Sequence, residues 1–158
     1  MKKRYLVYIA VLLIGLGLVV SSCKKPMKEE DKIKAIITET ADRAKAKDIK
    51  GILAHVSKSY KDEEGNDRNA LKGILFIYLQ GYEKIGVFVR DVQVTVDGNK
   101  AEAQVKVILT GGEEPGSVGS AVPQTGGGYL VDLKLAKEDG EWMVVRATWT
   151  DIGFTKAL

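Results

Sequence analysis

The chain's one histidine, His55, stands five residues before Tyr60 and seven before Asp62 in the segment HVSKSYKD. An imidazole, a phenol and a carboxylate are the groups from which a proton-transfer site is built: a base that works near neutrality, a hydrogen-bond donor, and a carboxylate to orient or accept. Each also has a structural use. His55 follows Ile52 by three residues and adjoins Val56, at the edge of an apolar helix face, where its nitrogens would bond backbone or water. Tyr60 would pack its ring, and Asp62 would cap the turn that leads to Gly65. A second polar pair interrupts two apolar runs, Asp132 in YLVDLKLA and Arg146 in WMVVRATW. Across neighbouring strands these two would form an exposed ion pair worth at most about 1 kcal/mol; turned inward, they would anchor a pocket. Alternation does not decide, because both faces of each strand are partly apolar. Tyr78, Tyr82, Trp142 and Trp149 are the aromatic residues available to such a pocket or to a core.

Composition removes several other chemistries. One cysteine, Cys23, makes neither an internal disulfide nor a cysteine-rich zinc site, and a single histidine forbids any centre built on two imidazoles, so no metal or cofactor is expected. The net charge of +3 resides in Lys2, Lys3 and Arg4; beyond them the remaining 21 basic residues balance 21 acidic ones. A neutral body lacks the local excess of Lys and Arg that phosphate neutralisation needs, so nucleic acid is not an expected partner. The segment TGGEEPGSVGSAVPQTGGG, Thr110 to Gly128, matches no phosphate-binding fingerprint despite its glycines, and reads as a mobile connection between strands.

These candidates need elements to hold them. From Glu30 to Lys47 the residues Ile33, Ile36, Ile37, Ala41 and Ala44 recur at helical steps. Asp48 can cap a second, shorter helix carrying Ile49, Ile52, Leu53 and Val56 and ending near Ser57 to Tyr60. Asp67 can cap a third, with Leu71, Ile74, Leu75, Tyr78, Leu79 and Tyr82. The period then changes to two: Val92, Val94 and Val96 alternate, as do Ala101, Ala103, Val105 and Val107, around the turn Asp97-Gly98-Asn99. YLVDLKLA and WMVVRATW supply two more strands, joined by KEDGE. Helices that precede an antiparallel meander predict one α+β domain, with three N-terminal helices packed on a curved sheet of about four strands.

The amino terminus has the layout of a secretory signal peptide: a basic start, an apolar run from Leu6 to Val20, then Ser21 and Ser22. The run is shorter than the roughly 20 residues of a membrane span. Val20-Ser21-Ser22-Cys23 resembles the bacterial lipobox, which implies diacylglycerol on the Cys23 thiol and cleavage after Ser22. Residues 1–22 are therefore read as signal peptide, 23–29 as lipidated cysteine and polar tether, and 30–158 as the domain. In a Gram-negative host Lys24, where an aspartate would favour inner-membrane retention, inclines the reading to the outer membrane.

The order helix–helix–helix–meander, with DIKGILAHVSKSYKDEEG and the terminal KEDGEW, resembles the nuclear transport factor 2-like superfamily, which includes SnoaL-like proteins and ketosteroid isomerase. The resemblance implies a cystatin-like cone. Ketosteroid isomerase-like enzymes place a carboxylate base, a tyrosine and a protonated acid in that cone. No such set can be placed here, and the paired histidines of the dehydratase relatives are missing. The expected function is accordingly that of a lipid-anchored envelope protein whose domain binds a small apolar ligand or a protein partner, with Tyr78, Tyr82, Asp132, Arg146 and Trp149 as binding residues. The alternatives are a small isomerase, dehydratase or hydrolase using Tyr60, Asp62 and His55, and a structural component that dimerises through the sheet face.

Overall fold

The computed structural model describes residues 27–112 and 125–158. The signal peptide, Cys23, most of the tether and the centre of the glycine-rich segment lie outside the described residues.

Helix α1 (Glu29–Lys45) buries Ile33, Ile37 and Ala41 along the stripe that its spacing anticipates. Glu29, Glu30 and Asp31 in the first turn and Arg43 and Lys45 in the last complement the helix dipole. Asp48 starts α2 (Ile49–Ala54) by accepting the Gly51 N–H at 2.9 Å. Helix α2 stops at Ala54, short of the expected Ser57 to Tyr60. The reason is an alternative set of backbone partners: Val144 donates to the His55 carbonyl at 2.8 Å, and Ser57 donates to the Val144 carbonyl at 2.9 Å. The chain leaves the helix to dock on a strand. Asp67 caps α3 (Arg68–Gln80), accepting from the Asn69 and Ala70 N–H groups, both at 2.9 Å. This helix ends before Tyr82, which belongs to the link into the sheet.

Strands β1 (Lys84–Asp97), β2 (Lys100–Gly112), β3 (Thr125–Glu138) and β4 (Glu141–Asp151) form an antiparallel meander in the order β1-β2-β3-β4. Register shifts between Arg90 and Gln93 and between Lys134 and Leu135 mark bulges, which bend the strands and increase their twist. Ala101, Ala103, Val105, Leu135 and Trp142 project from the inner face onto Ile33 and Ile37 and make the main core. Full burial of each valine, leucine or isoleucine side chain among them contributes about 1.5–3 kcal/mol. Leu53, Val56 and Tyr60 form a second cluster, joined by Leu71 and Leu75 of α3 and by Val144 and Ala147 of β4.

The glycine-rich segment is not wholly a connection. Gly126, Gly127 and Gly128 pair with Thr110, Leu109 and Ile108, so both ends of the segment are strand and only 113–124 lie outside the described residues. The absence of side chains is what these strand ends require. A Cβ on Gly111 would stand 2.5 Å from the Tyr82 ring, and one on Gly128 would stand 2.3 Å from the Gly153 carbonyl oxygen and 2.5 Å from the Ala157 methyl. The second contact seats a short C-terminal helix, α4 (Phe154–Ala157), on the outer face of the sheet, an element that four residues without periodicity did not announce.

Glu29 ties the start of α1 to the β3–β4 hairpin. Its carboxylate accepts from Trp142 Nε1 at 2.6 Å, Lys32 Nζ at 2.8 Å and Lys137 Nζ at 2.9 Å. These donors, Lys32 first, then Lys137 and Trp142, lower its pKa from 4.5 to about 2. As pH falls the unfolded chain takes up this proton before the folded one, so the stabilisation is complete above pH 4.5 and lost on the way to pH 2. The melting temperature of the natural protein should therefore fall more steeply across that interval than that of Glu29→Gln. Parallel curves would show that the clamp does not couple to folding.

Candidate binding face

The three groups of the HVSKSYKD segment do not share one site. His55, half-buried at the end of α2, turns towards α1, with Nε2 at 3.3 Å from Glu39 Oε2. The same carboxylate holds Arg43 at 3.0 Å, and Arg43 reaches Asp48 at 2.9 Å. Arg43 foremost, and then His55, keep the Glu39 carboxyl below its usual range. Tyr60 is buried in the second cluster, and burial, followed by the nearby Asp62 charge, pushes its phenol up to about 12. A phenol in that state is a donor and not a base. Asp62 is 2% exposed, and its carboxylate accepts from Asn66 N at 2.8 Å, Asn66 Nδ2 at 2.9 Å and Glu64 N at 3.0 Å. Three donors from its own turn organise the chain through Gly65, whose φ is +85°.

Asp132 and Arg146 share the outer face of the sheet but are not opposite each other. The β3–β4 turn pairs Glu138 with Glu141, and the bulge at Lys134/Leu135 adds one residue to β4, so Arg146 faces Lys134 and Asp132 faces Thr148. The partner of Asp132 is Gln104 on β2, whose Nε2 donates at 2.8 Å. Gln93, Thr95, Glu102, Gln104, Asp132 and Lys134 line a shallow polar groove of about 310 Å³ on this face.

The inner face differs at its far end, away from both hairpin turns. Tyr78 is 65% exposed, Trp149 47% and Tyr82 37%; Phe76 and Ile77, on other sides of α3, are open to solvent as well. Tyr82 is anchored twice: its ring covers Gly111, and its carbonyl accepts from Lys47 Nζ. Tyr129, on the same face of β3, completes the group. Burial foremost, then Asp151 and the phenols of Tyr78 and Tyr82, raise its pKa. Sequence reasoning passed over Tyr129. The signal that could have found it is its strand parity, since it alternates with Val131, Leu133 and Leu135 on the inward side. A depression of about 100 Å³ lies next to Trp149, lined also by Thr148, Glu63 and Glu64. Trp142, in contrast, is core, at 2% exposure. Among the described residues no group of three or more His, Cys, Asp or Glu side chains is placed to hold a metal ion, and no helix is long and apolar enough to cross a membrane.

No protein-family model matches the sequence, and no curated protein is similar to it in sequence. Solved structures are similar in shape. A candidate scytalone dehydratase from Novosphingobium aromaticivorans superposes with a TM-score of 0.66 at 13% identity, over 78% of this chain and 83% of that one. A nuclear transport factor 2-like protein of unknown function from Pseudomonas putida gives 0.64 at 16% identity, over 77% and 84%. Bd1075 of Bdellovibrio bacteriovorus gives 0.65 at 9% identity, and 77% of this chain spans only 41% of that protein. The chain has the cystatin-like, nuclear transport factor 2-like fold. Within that fold the aromatic group occupies the inner face beyond the part that α1 fills.

Proposed function

We propose that the protein is an exported, lipid-anchored binding protein, and that Tyr78, Tyr82, Tyr129 and Trp149 form the surface on which it takes an apolar ligand or an apolar segment of a partner. The observation that carries this reading is the exposure of large rings on the inner face of the sheet, where a monomer would otherwise bury them. The groups that would serve catalysis are engaged elsewhere: Asp62 by its turn, His55 by Glu39, and Tyr60 by the core. The anchor suits the same reading. Cys23 lies six residues before Glu29, a reach of about 20 Å at full extension. Helix α1 then runs about 25 Å from the hairpin end, where Glu29 meets Trp142, to the end where Lys47 meets Tyr82. An anchor at Cys23 therefore holds the hairpin turns near the membrane and presents the rings away from it.

The two tryptophans make this testable. The amphiphilic dye 1-anilinonaphthalene-8-sulfonate, whose aromatic rings seek apolar surface, should on titration against residues 24–158 quench the exposed Trp149 by energy transfer more than the buried Trp142. Tyr78→Ser and Trp149→Ser should each weaken dye binding at least tenfold, about 1.4 kcal/mol, with little change in melting temperature. Dye affinity that survives both substitutions would place the binding surface elsewhere.

A further inference from the structure

Trp149 lies on the edge strand of the sheet, and the chain beside it is acidic. The segment that follows Tyr60 runs along β4, where the Lys61 N–H donates to the Val145 carbonyl at 3.1 Å. It brings Glu63 and Glu64 to the depression of about 100 Å³ whose other walls are Thr148 and Trp149. The turn that carries them is held from below. Asp62, buried, accepts the Glu64 N–H at 3.0 Å and Asn66 Nδ2 at 2.9 Å, and the same Asn66 amide donates to Glu64 Oε2 at 3.3 Å. Asp151 lies two residues beyond Trp149 on the same face of β4, opposite Tyr129. Among the described residues none of Glu63, Glu64 and Asp151 is in an ion pair.

We infer that this depression takes the ammonium head of a free organic cation, whose apolar body lies on the neighbouring rings. The lining selects that chemistry. An indole face attracts a cation whose charge is spread over alkyl groups, whereas a hard metal ion needs six or more oxygen ligands that these side chains do not supply. Ionised glutamates only accept hydrogen bonds, so they suit a cationic head and repel an acidic one. At about 100 Å³ the depression falls well below the roughly 300–1,000 Å³ of a whole-ligand pocket, so it is a subsite for one head group. A cation over an exposed ring gains about two- to fivefold in affinity, and a carboxylate about 4 Å away adds up to about fivefold in water. Charge on the head group should therefore be worth at least tenfold. The inference rests on the ring surface proposed above, because it assigns the ligand of that surface a charge.

Nuclear magnetic resonance of the full chain, labelled with ¹⁵N-tryptophan and held in the uncharged detergent dodecyl maltoside, tests it. The two indole N–H signals report Trp149 and Trp142 separately. Choline should shift the Trp149 signal and not that of Trp142, with at least tenfold higher affinity than its neutral isostere 3,3-dimethylbutan-1-ol. Glycerophosphocholine, which has the head of a lipid with its phosphate and no acyl chains, should bind more weakly than choline. In the double variant Glu63→Gln/Glu64→Gln choline and the isostere should come within about twofold of each other, while the anionic dye of the previous section should bind more tightly. The inference is overturned if choline binds no better than the isostere, if glycerophosphocholine binds better than choline, if Trp142 responds instead, or if the double variant keeps the preference for charge. Failure of the ring surface is a different result: dye binding that ignores Tyr78→Ser and Trp149→Ser. A natural protein whose dye binding depends on both rings but which does not prefer choline loses the ammonium subsite alone.

Discussion

Replacing Tyr60 by alanine should destabilise the domain by about 3–5 kcal/mol, the cost typical of truncating a buried aromatic ring and leaving a cavity. The ring is 2% exposed and is the centre on which α2, α3 and β4 converge, through Leu53 and Val56, Leu71 and Leu75, and Val144 and Ala147. Domains of this size are stable by about 5–15 kcal/mol, so the variant would sit close to its unfolding threshold at 37 °C. Tyr60→Phe keeps the ring and removes only the hydroxyl, and should lose no more than about 1–1.5 kcal/mol. Urea unfolding of the pair separates the roles. If alanine costs as little as phenylalanine, the ring is not a keystone. If phenylalanine leaves stability intact but abolishes a turnover or a binding activity, the phenol is a functional group and the enzymatic alternative takes precedence.

The second large effect concerns the proposed lipid anchor. The thiol of Cys23 is the chain's only site for the thioether, so Cys23→Ser should abolish acylation completely. The protein should then accumulate as uncleaved precursor or be released from the membrane, because one peptide tether without acyl chains has nothing to hold it there. Metabolic labelling with a clickable fatty acid reads this out: label on the natural protein, none on Cys23→Ser. Label retained by the variant would rule out Cys23 as the attachment point.

Much of the fold was legible because its residues repeat. The isoleucines of α1, the alternating valines and alanines of β1 and β2, and the capping aspartates Asp48 and Asp67 all carry their structure in local spacing. What escaped depends on distant partners. Gly126, Gly127 and Gly128 have no side chains to alternate, so their place in a strand follows from Tyr129 and α4 and not from any pattern of their own. The end of α2 is set by Val144, which is 90 residues away from Ala54 in the chain. Asp132 meets Thr148 and not Arg146 because the turn that pairs Glu138 with Glu141 and the bulge beyond it set the register together, and no motif marks either. For the candidate face, Tyr78, Tyr82 and Trp149 were identifiable as aromatic residues at element spacing, but the same spacing describes Trp142, which is core. Periodicity shows that α3 is apolar nearly all round, as in ILFIYL; only the packed structure shows which of those side chains lack a cover.

The central claim, a lipid-anchored domain that binds through the rings at the far end of its sheet, is tested most directly by native mass spectrometry of the full chain extracted from the membranes of its own host. The expected species begins at Cys23, carries the mass of covalent acyl groups, and holds a further non-covalent mass, other than a second copy, that is absent from the double variant Tyr78→Ser/Trp149→Ser. A chain without acyl groups, or without any non-covalent mass, or with the same non-covalent mass in the double variant, would contradict it.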